Sequence, residues 1–249
     1  MARLSGVPRR VLILGGSAEA RTLAALLVSQ GDDVTTSLAG RTSLPLLPQG
    51  KLKVGGFGGS EGLTRFIRSE RIQIIADATH PFAAQISAHG FDAARTCGIY
   101  YARLERPAWQ PDIGDNWTMA GTIADAARML PERARAFLTI GRKQVAAFTL
   151  RADLSGLIRT IEPPDEPVSE NWIVLLRRPP FSVEDELSLM RQHGIGVLVT
   201  KNAGGEQTAA KLVAARELRL QVMMIERPVK PEAPTVATAE DMARLIARI

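Results

Sequence analysis

A chain of 249 residues with 45% hydrophobic and 23% charged residues can bury one large core or two smaller ones, which excludes global disorder. Its apolar runs, such as Val11–Leu14 and Ile173–Leu176, fall far short of the roughly 20 residues needed to span a membrane. The net charge of +5 and pI of about 9.8 raise nucleic acid as a partner, but the cations are dispersed and aromatic residues are only 5%, so a small polyanion fits better.

Met1–Arg10 is basic but lacks the apolar region and cleavage site of a secretory signal, so a cytoplasmic protein with no membrane partner is expected. The single Cys97 excludes an internal disulfide and a cysteine-based zinc site. Three scattered histidines argue against a catalytic metal.

In chain order, β-rich runs alternate with helical patterns, the signature of parallel sheets covered by helices. Strands are expected near Arg10–Leu14, Asp33–Ser37, Leu52–Val54, Ile72–Asp77 and Ile99–Leu104. Ala20, Leu23, Ala24 and Leu27 form one stripe of a helix that Gly31 stops. Pro107, Pro111 and Gly114 break the periodicity, dividing a domain over 1–113 from one over 114–249. The second half offers strands near Ala136–Ile140, Leu157–Ile161, Trp172–Leu176, Gly196–Thr200 and Leu220–Ile225. The fold class is α/β, two Rossmann-like domains. Leu104-Glu105-Arg106-Pro107 and Ile225-Glu226-Arg227-Pro228 close the last strand of each half with the same pattern, and no longer repeat of fixed period is visible.

The first strand runs through Gly15-Gly16-Ser17-Ala18 into its helix, a geometry that offers backbone N–H groups and a dipole end to a phosphate. Gly15 matches the first glycine of the dinucleotide fingerprint, while Ser17 and Ala20 replace the second and third; the Ser17 hydroxyl is a further candidate donor to phosphate. The second strand ends in Ser37-Leu38-Ala39-Gly40-Arg41 with no carboxylate, which favours NADPH over NADH because a carboxylate would repel the extra phosphate. Gly55-Gly56-Phe57-Gly58-Gly59-Ser60 reads either as a cofactor-facing loop or as a plain turn, with Ser60 capping the next helix. Asp77-Ala78-Thr79-His80 ends the fourth strand, where His80 serves either as a donor to substrate or cofactor or as a structural cap. Gly141-Arg142-Lys143 and Lys201-Asn202-Ala203-Gly204-Gly205 place cations at two further strand-to-helix turns, as anion sites or as solvated loops.

Taken together, Leu14–Glu19, Ser37–Arg41, Gly55–Gly59, Asp77–Phe82 and Thr200–Gly205 resemble the precorrin-6A reductases, including their cobalt-precorrin-6A branch. The resemblance runs through nearly the whole chain. It implies two α/β domains with NADPH in the cleft between them and hydride transfer to one double bond of a polycarboxylate tetrapyrrole, giving precorrin-6B. Arg142, Lys201, Arg106 and Arg227 are candidates to neutralise its carboxylates. The expected cofactor contacts are Gly16, Ser17, Ala18, Ser37, Arg41, Gly56 and Thr79, then Gly141, Arg142, Asn202, Gly204 and Gly205. His80 and Lys201 are the catalytic candidates, with water as a further proton source. A non-catalytic NADP-binding sensor and a cofactor-independent tetrapyrrole-modifying enzyme are the alternatives.

Overall fold

The computed structural model describes residues 8–38 and 47–249. Ala39, Gly40 and Arg41 lie outside the described residues.

The first half runs β1 (Arg10–Leu14), α1 (Ala18–Ser29), β2 (Asp33–Leu38), β3 (Lys51–Val54), α2 (Gly59–Glu70), β4 (Ile74–Asp77), α3 (Ala84–Cys97) and β5 (Tyr100–Leu104). The chain continues with β6 (Asn116–Ala120), α4 (Ile123–Met129), β7 (Arg135–Thr139), a 3-10 turn at Arg142–Gln144, α5 (Ala146–Thr149), β8 (Ser155–Thr160) and β9 (Trp172–Leu176). It ends with α6 (Val183–Gln192), β10 (Val197–Lys201), α7 (Ala210–Glu217), β11 (Gln221–Ile225), β12 (Thr235–Val236) and α8 (Ala239–Ile246). The ten expected strands are present, and β6 and β12 are additional.

Two six-stranded sheets result, both parallel throughout, in the orders β3-β2-β1-β4-β5-β12 and β9-β8-β7-β10-β11-β6. Counting β7 as the first strand of its sheet makes the two orders the same, the doubly wound pattern with a sixth strand at one edge. The sixth strand differs in origin: β12 comes from the end of the chain, and β6 precedes the rest of its sheet.

The first unit is Met1–Arg106 with Pro228–Ile249, and the second is Pro107–Arg227. The expectation of one domain over 114–249 is therefore corrected, because the last 22 residues (228–249) complete the first sheet. Met242, Ala243 and Ile246 of α8 share a core with Leu23, Ala24 and Leu27 of α1, burying the apolar stripe read from the sequence. Lys230, with a side chain only 4% exposed, pairs with Glu105 at 2.7 Å, and Arg103 donates to the Pro231 carbonyl. α2 and α3 cover the opposite face of this sheet. In the second unit Met190 of α6 and Leu212, Ala214 and Ala215 of α7 pack on Phe137, Leu198 and Val222 of the strands.

The four-residue echo marks the two crossings between units, and the repeat continues beyond it. Thr122 and Thr238 cap α4 and α8 alike, each hydroxyl accepting the N–H of Asp125 or Asp241 at 3.0 and 3.1 Å. Arg128 and Arg244 then pair with those same carboxylates. One copy opens the second unit and the other closes the first.

Among the described residues no helix is long and apolar enough to cross a membrane, and no cluster of His, Cys, Asp and Glu is arranged to hold a metal.

Candidate active site

Sheets of this order bind ligands beyond the carboxyl ends of their strands, where the order reverses. That point lies between β1 and β4 in the first unit and between β7 and β10 in the second. His80 follows β4, and Lys201 ends β10, so each catalytic candidate stands at the reversal of its own sheet.

In the first unit Gly15 is required by packing, since a Cβ there would lie 2.7 Å from Thr36 Cγ2 and 3.2 Å from the Ser37 carbonyl oxygen. Gly16 is required by conformation: its φ is +114° and its α-carbon faces open space. Ala20, at the third fingerprint position, is buried in the core, doing the close-packing work of that glycine. Ser37 is buried too, and its carbonyl accepts the Gly15 N–H at 3.0 Å.

The Ser17 hydroxyl has a different role from the expected donation to phosphate. It accepts from Ala20 N–H at 3.0 Å as the cap of α1 and gives its proton to the Ala78 carbonyl at 2.9 Å. It thereby ties the β1 turn to the β4 turn. Ser17→Ala is expected to destabilise the first unit by about 1–2 kcal/mol, measured as a lower urea midpoint by far-UV circular dichroism.

Glu19, in the first turn of α1, pairs with Arg106 at 2.8 Å. Burial favours the neutral acid, but Arg106 and local hydrogen bonds outweigh it and hold the Glu19 carboxyl below its ordinary range. An anion arriving at this turn therefore meets an internal carboxylate–guanidinium pair, not a bare cation.

Gly56 is exposed beyond β3, where Lys53 Nζ donates to the Gly55 and Gly56 carbonyls at 3.0 and 2.9 Å. The helix after it begins earlier than expected: Gly58 in a left-handed conformation is its N-cap, and Ser60 falls within the first turn. Thr79 is buried with its hydroxyl directed at Asp77 Oδ1, 2.7 Å away. His80 is exposed, and its Nδ1 accepts the Phe82 N–H at 3.2 Å.

In the second unit Gly141 has φ +89° and faces open space, as Gly16 does. Arg142 beside it is held by Glu162 at 3.1 Å and Asp165 at 3.3 Å. Asn202 is buried and spends both ends of its amide on one residue, accepting Trp109 N–H at 2.8 Å and donating to the Trp109 carbonyl at 3.0 Å. Arg227 donates to the Asn202 and Ala203 carbonyls at 2.8 and 3.1 Å, and Gly205 accepts the Trp109 indole N–H at 3.1 Å. Gly204 is enclosed by the same corner. Lys201 contrasts with these: it donates to the neutral amide of Gln144, and burial lowers its pKa to about 8.

The geometry so far is that of a doubly wound α/β fold, which many families share. The family model described as precorrin-6x reductase CbiJ/CobK matches residues 10–249. This chain belongs to that family. The precorrin-6A reductase of Rhodococcus erythropolis is 50% identical over 240 residues, 96% of each chain. The cobalt-precorrin-6A reductase of Priestia megaterium is 31% identical, covering 95% of this chain and 97% of its own. A solved structure of CobK precorrin-6A reductase superposes with a TM-score of 0.90 at 38% identity, over 96% of both chains.

Within this precorrin-6x reductase fold, Asp77, Gln144, Glu162 and Trp109 touch candidate residues without having been proposed for the site. Only Asp77 carried a signal, a carboxylate at the end of an apolar strand. The partners of the others lie 93 residues away for Trp109 and Asn202 and 57 for Gln144 and Lys201, separations that leave no local pattern.

Proposed function

We propose that this chain reduces one ring double bond of precorrin-6A in cobalamin biosynthesis, giving precorrin-6B, with NADPH as the reductant. Similarity to precorrin-6A reductases over nearly the full length carries the reaction class. The open Gly16 turn at the head of α1 supports the nucleotide, since its φ and its free approach suit a diphosphate.

When bound, a reduced nicotinamide supplies the hydride, that is, a proton and two electrons to one carbon of the double bond. The neighbouring carbon needs a proton, for which the Lys201 ammonium and His80 are the candidate donors. Backbone N–H groups of Gly16, Ser17 and Ala18 hold the diphosphate, with Gly56 lining the approach. Arg41 takes the 2′-phosphate. Lys201 also attracts the carboxylates of the substrate, whereas Arg142, Arg106 and Arg227 already serve internal acceptors.

Anaerobic turnover of NADPH with metal-free and cobalt-containing precorrin-6A tests the reading. Matched loss of NADPH and substrate absorbance is expected; unchanged spectra of both indicate a sensor, and substrate conversion without NADPH a cofactor-independent enzyme. Arg41→Ala is expected to raise KM for NADPH by about 10- to 100-fold, the worth of a charge-assisted contact, with KM for NADH unchanged. Equal loss for both nucleotides removes Arg41 from the 2′-phosphate.

A further inference from the structure

The turn that carries His80 is held from beneath by a carboxylate. Asp77 has no exposed surface and accepts three hydrogen bonds. Oδ1 takes the Thr79 backbone N–H at 3.1 Å and the Thr79 hydroxyl at 2.7 Å, while Oδ2 takes the Tyr101 hydroxyl at 2.7 Å. Ser87 of α3 closes the cluster: its hydroxyl lies 3.3 Å from that of Thr79, and its carbonyl accepts the Tyr101 hydroxyl at 3.3 Å. Burial, then the adjacent Asp77 carboxylate, pushes the Tyr101 phenol well above its ordinary range, so it remains a donor.

A carboxylate without exposed surface costs several kcal/mol unless it is saturated with donors, and an apolar residue would pack the end of β4 at no such cost. What Asp77 adds is direction. Two of its three bonds go to Thr79, the residue before His80, and the Ser17 tether fixes the Ala78 carbonyl between them. The backbone is thereby set on both sides of the strand end. Beyond it, His80 Nδ1 accepts from Phe82 N–H, and the two rings lie 5.9 Å apart. A ring nitrogen that accepts carries no proton, so the neutral imidazole holds its proton on Nε2.

We infer that Asp77 is a positioning residue for His80: through Thr79 it holds the 77–82 turn so that the imidazole keeps one tautomer, with Nε2 as the donor. Its bearing on reduction rests on the reading of His80 given above. Its effect on the ring does not.

The test uses nitrogen-15 NMR of the histidine rings in the full chain, where three histidines make a simple spectrum and His80→Gln identifies the His80 signals. The wild type is expected to show His80 with Nδ1 unprotonated and Nε2 protonated at alkaline pH. Thr79→Val and Asp77→Asn should bring the two nitrogens toward averaged shifts and lower kcat about tenfold, with a smaller change in KM. Thr79→Ser should restore both readouts, which a loss of packing alone does not explain. Tyr101→Phe removes one of the three bonds and keeps the ring volume, so it reports even where Asp77→Asn fails to fold. His80 ring shifts unchanged in folded Thr79→Val and Tyr101→Phe would overturn the inference. Moved shifts with unchanged kinetics would overturn the link from the ring to catalysis. The spectra need no substrate, so a wild type that fails to turn over precorrin-6A condemns the reductase reading separately.

Discussion

Lys201→Met is expected to lower kcat/KM for the tetrapyrrole by about 100-fold, within the range for loss of a general acid, while leaving the KM for NADPH nearly unchanged. The side chain stands at the reversal of the second sheet, donates to Gln144, and is buried enough to bring its pKa to about 8. Both proposed tasks, attracting a carboxylate and giving up a proton, need the ammonium. The kcat/KM of the wild type should therefore fall as pH rises through about 8, the free-enzyme value. A carboxylate bound beside the lysine favours the charged form, so the fall in kcat should come at higher pH. Lys201→Arg keeps a cation that does not titrate and should lose the alkaline limb, whatever its absolute rate.

Linkage gives an independent sign. The unfolded lysine keeps its proton to about 10.5 and the folded one only to about 8, so between those values the unfolded chain binds more protons. Wild-type stability should rise with pH across that window, and Lys201→Met should remove the slope. Unchanged kinetics in the methionine variant would take Lys201 out of the site.

The central strands, such as Val11–Leu14 and Val197–Thr200, were legible because their apolar runs are buried on both faces, and the exposed edge strands β3 and β9 still showed short apolar patterns. β6 and β12 sit at sheet edges and carry weaker patterns, Asn-Trp-Thr-Met-Ala and Thr-Val, so neither reads as a strand alone. Their helices supply most of the burial: Met242 and Ile246 have no exposed surface. Sequence proximity then suggests the wrong unit for 228–249, because its partners are α1 and β5, more than about 120 residues earlier in the chain. In the site, the turn glycines were readable since φ near +90° leaves few other residues. The commitments of the polar groups were not. Arg142 reads as an anion site until Glu162 and Asp165 meet it, and Asn202 reads as a ligand contact until Trp109 takes both ends of its amide.

Gly204→Ala is expected to destabilise the second unit by about 3–5 kcal/mol, the largest single-residue effect on folding anticipated here. Its φ is +70°, a conformation that costs an alanine about 1–2 kcal/mol anywhere. The greater part comes from contact: an added Cβ would lie 2.0 Å from the Pro107 carbonyl oxygen and 2.9 Å from Arg227 Nη2. Pro107 cannot retreat without pulling on Trp109, whose backbone is clasped by Asn202 and whose indole donates to Gly205. Gly194→Ala separates the two contributions, since Gly194 has φ +56° but its nearest neighbour would be 3.9 Å from the new methyl. That control should cost only about 1–2 kcal/mol. Trp109, Trp117 and Trp172 are the chain's three tryptophans and all fall within Pro107–Arg227, so intrinsic fluorescence during urea unfolding follows this unit. Midpoints for the two variants that agree within error would mean the 107–109 segment yields freely, and that the corner does not constrain the strand end bearing Lys201.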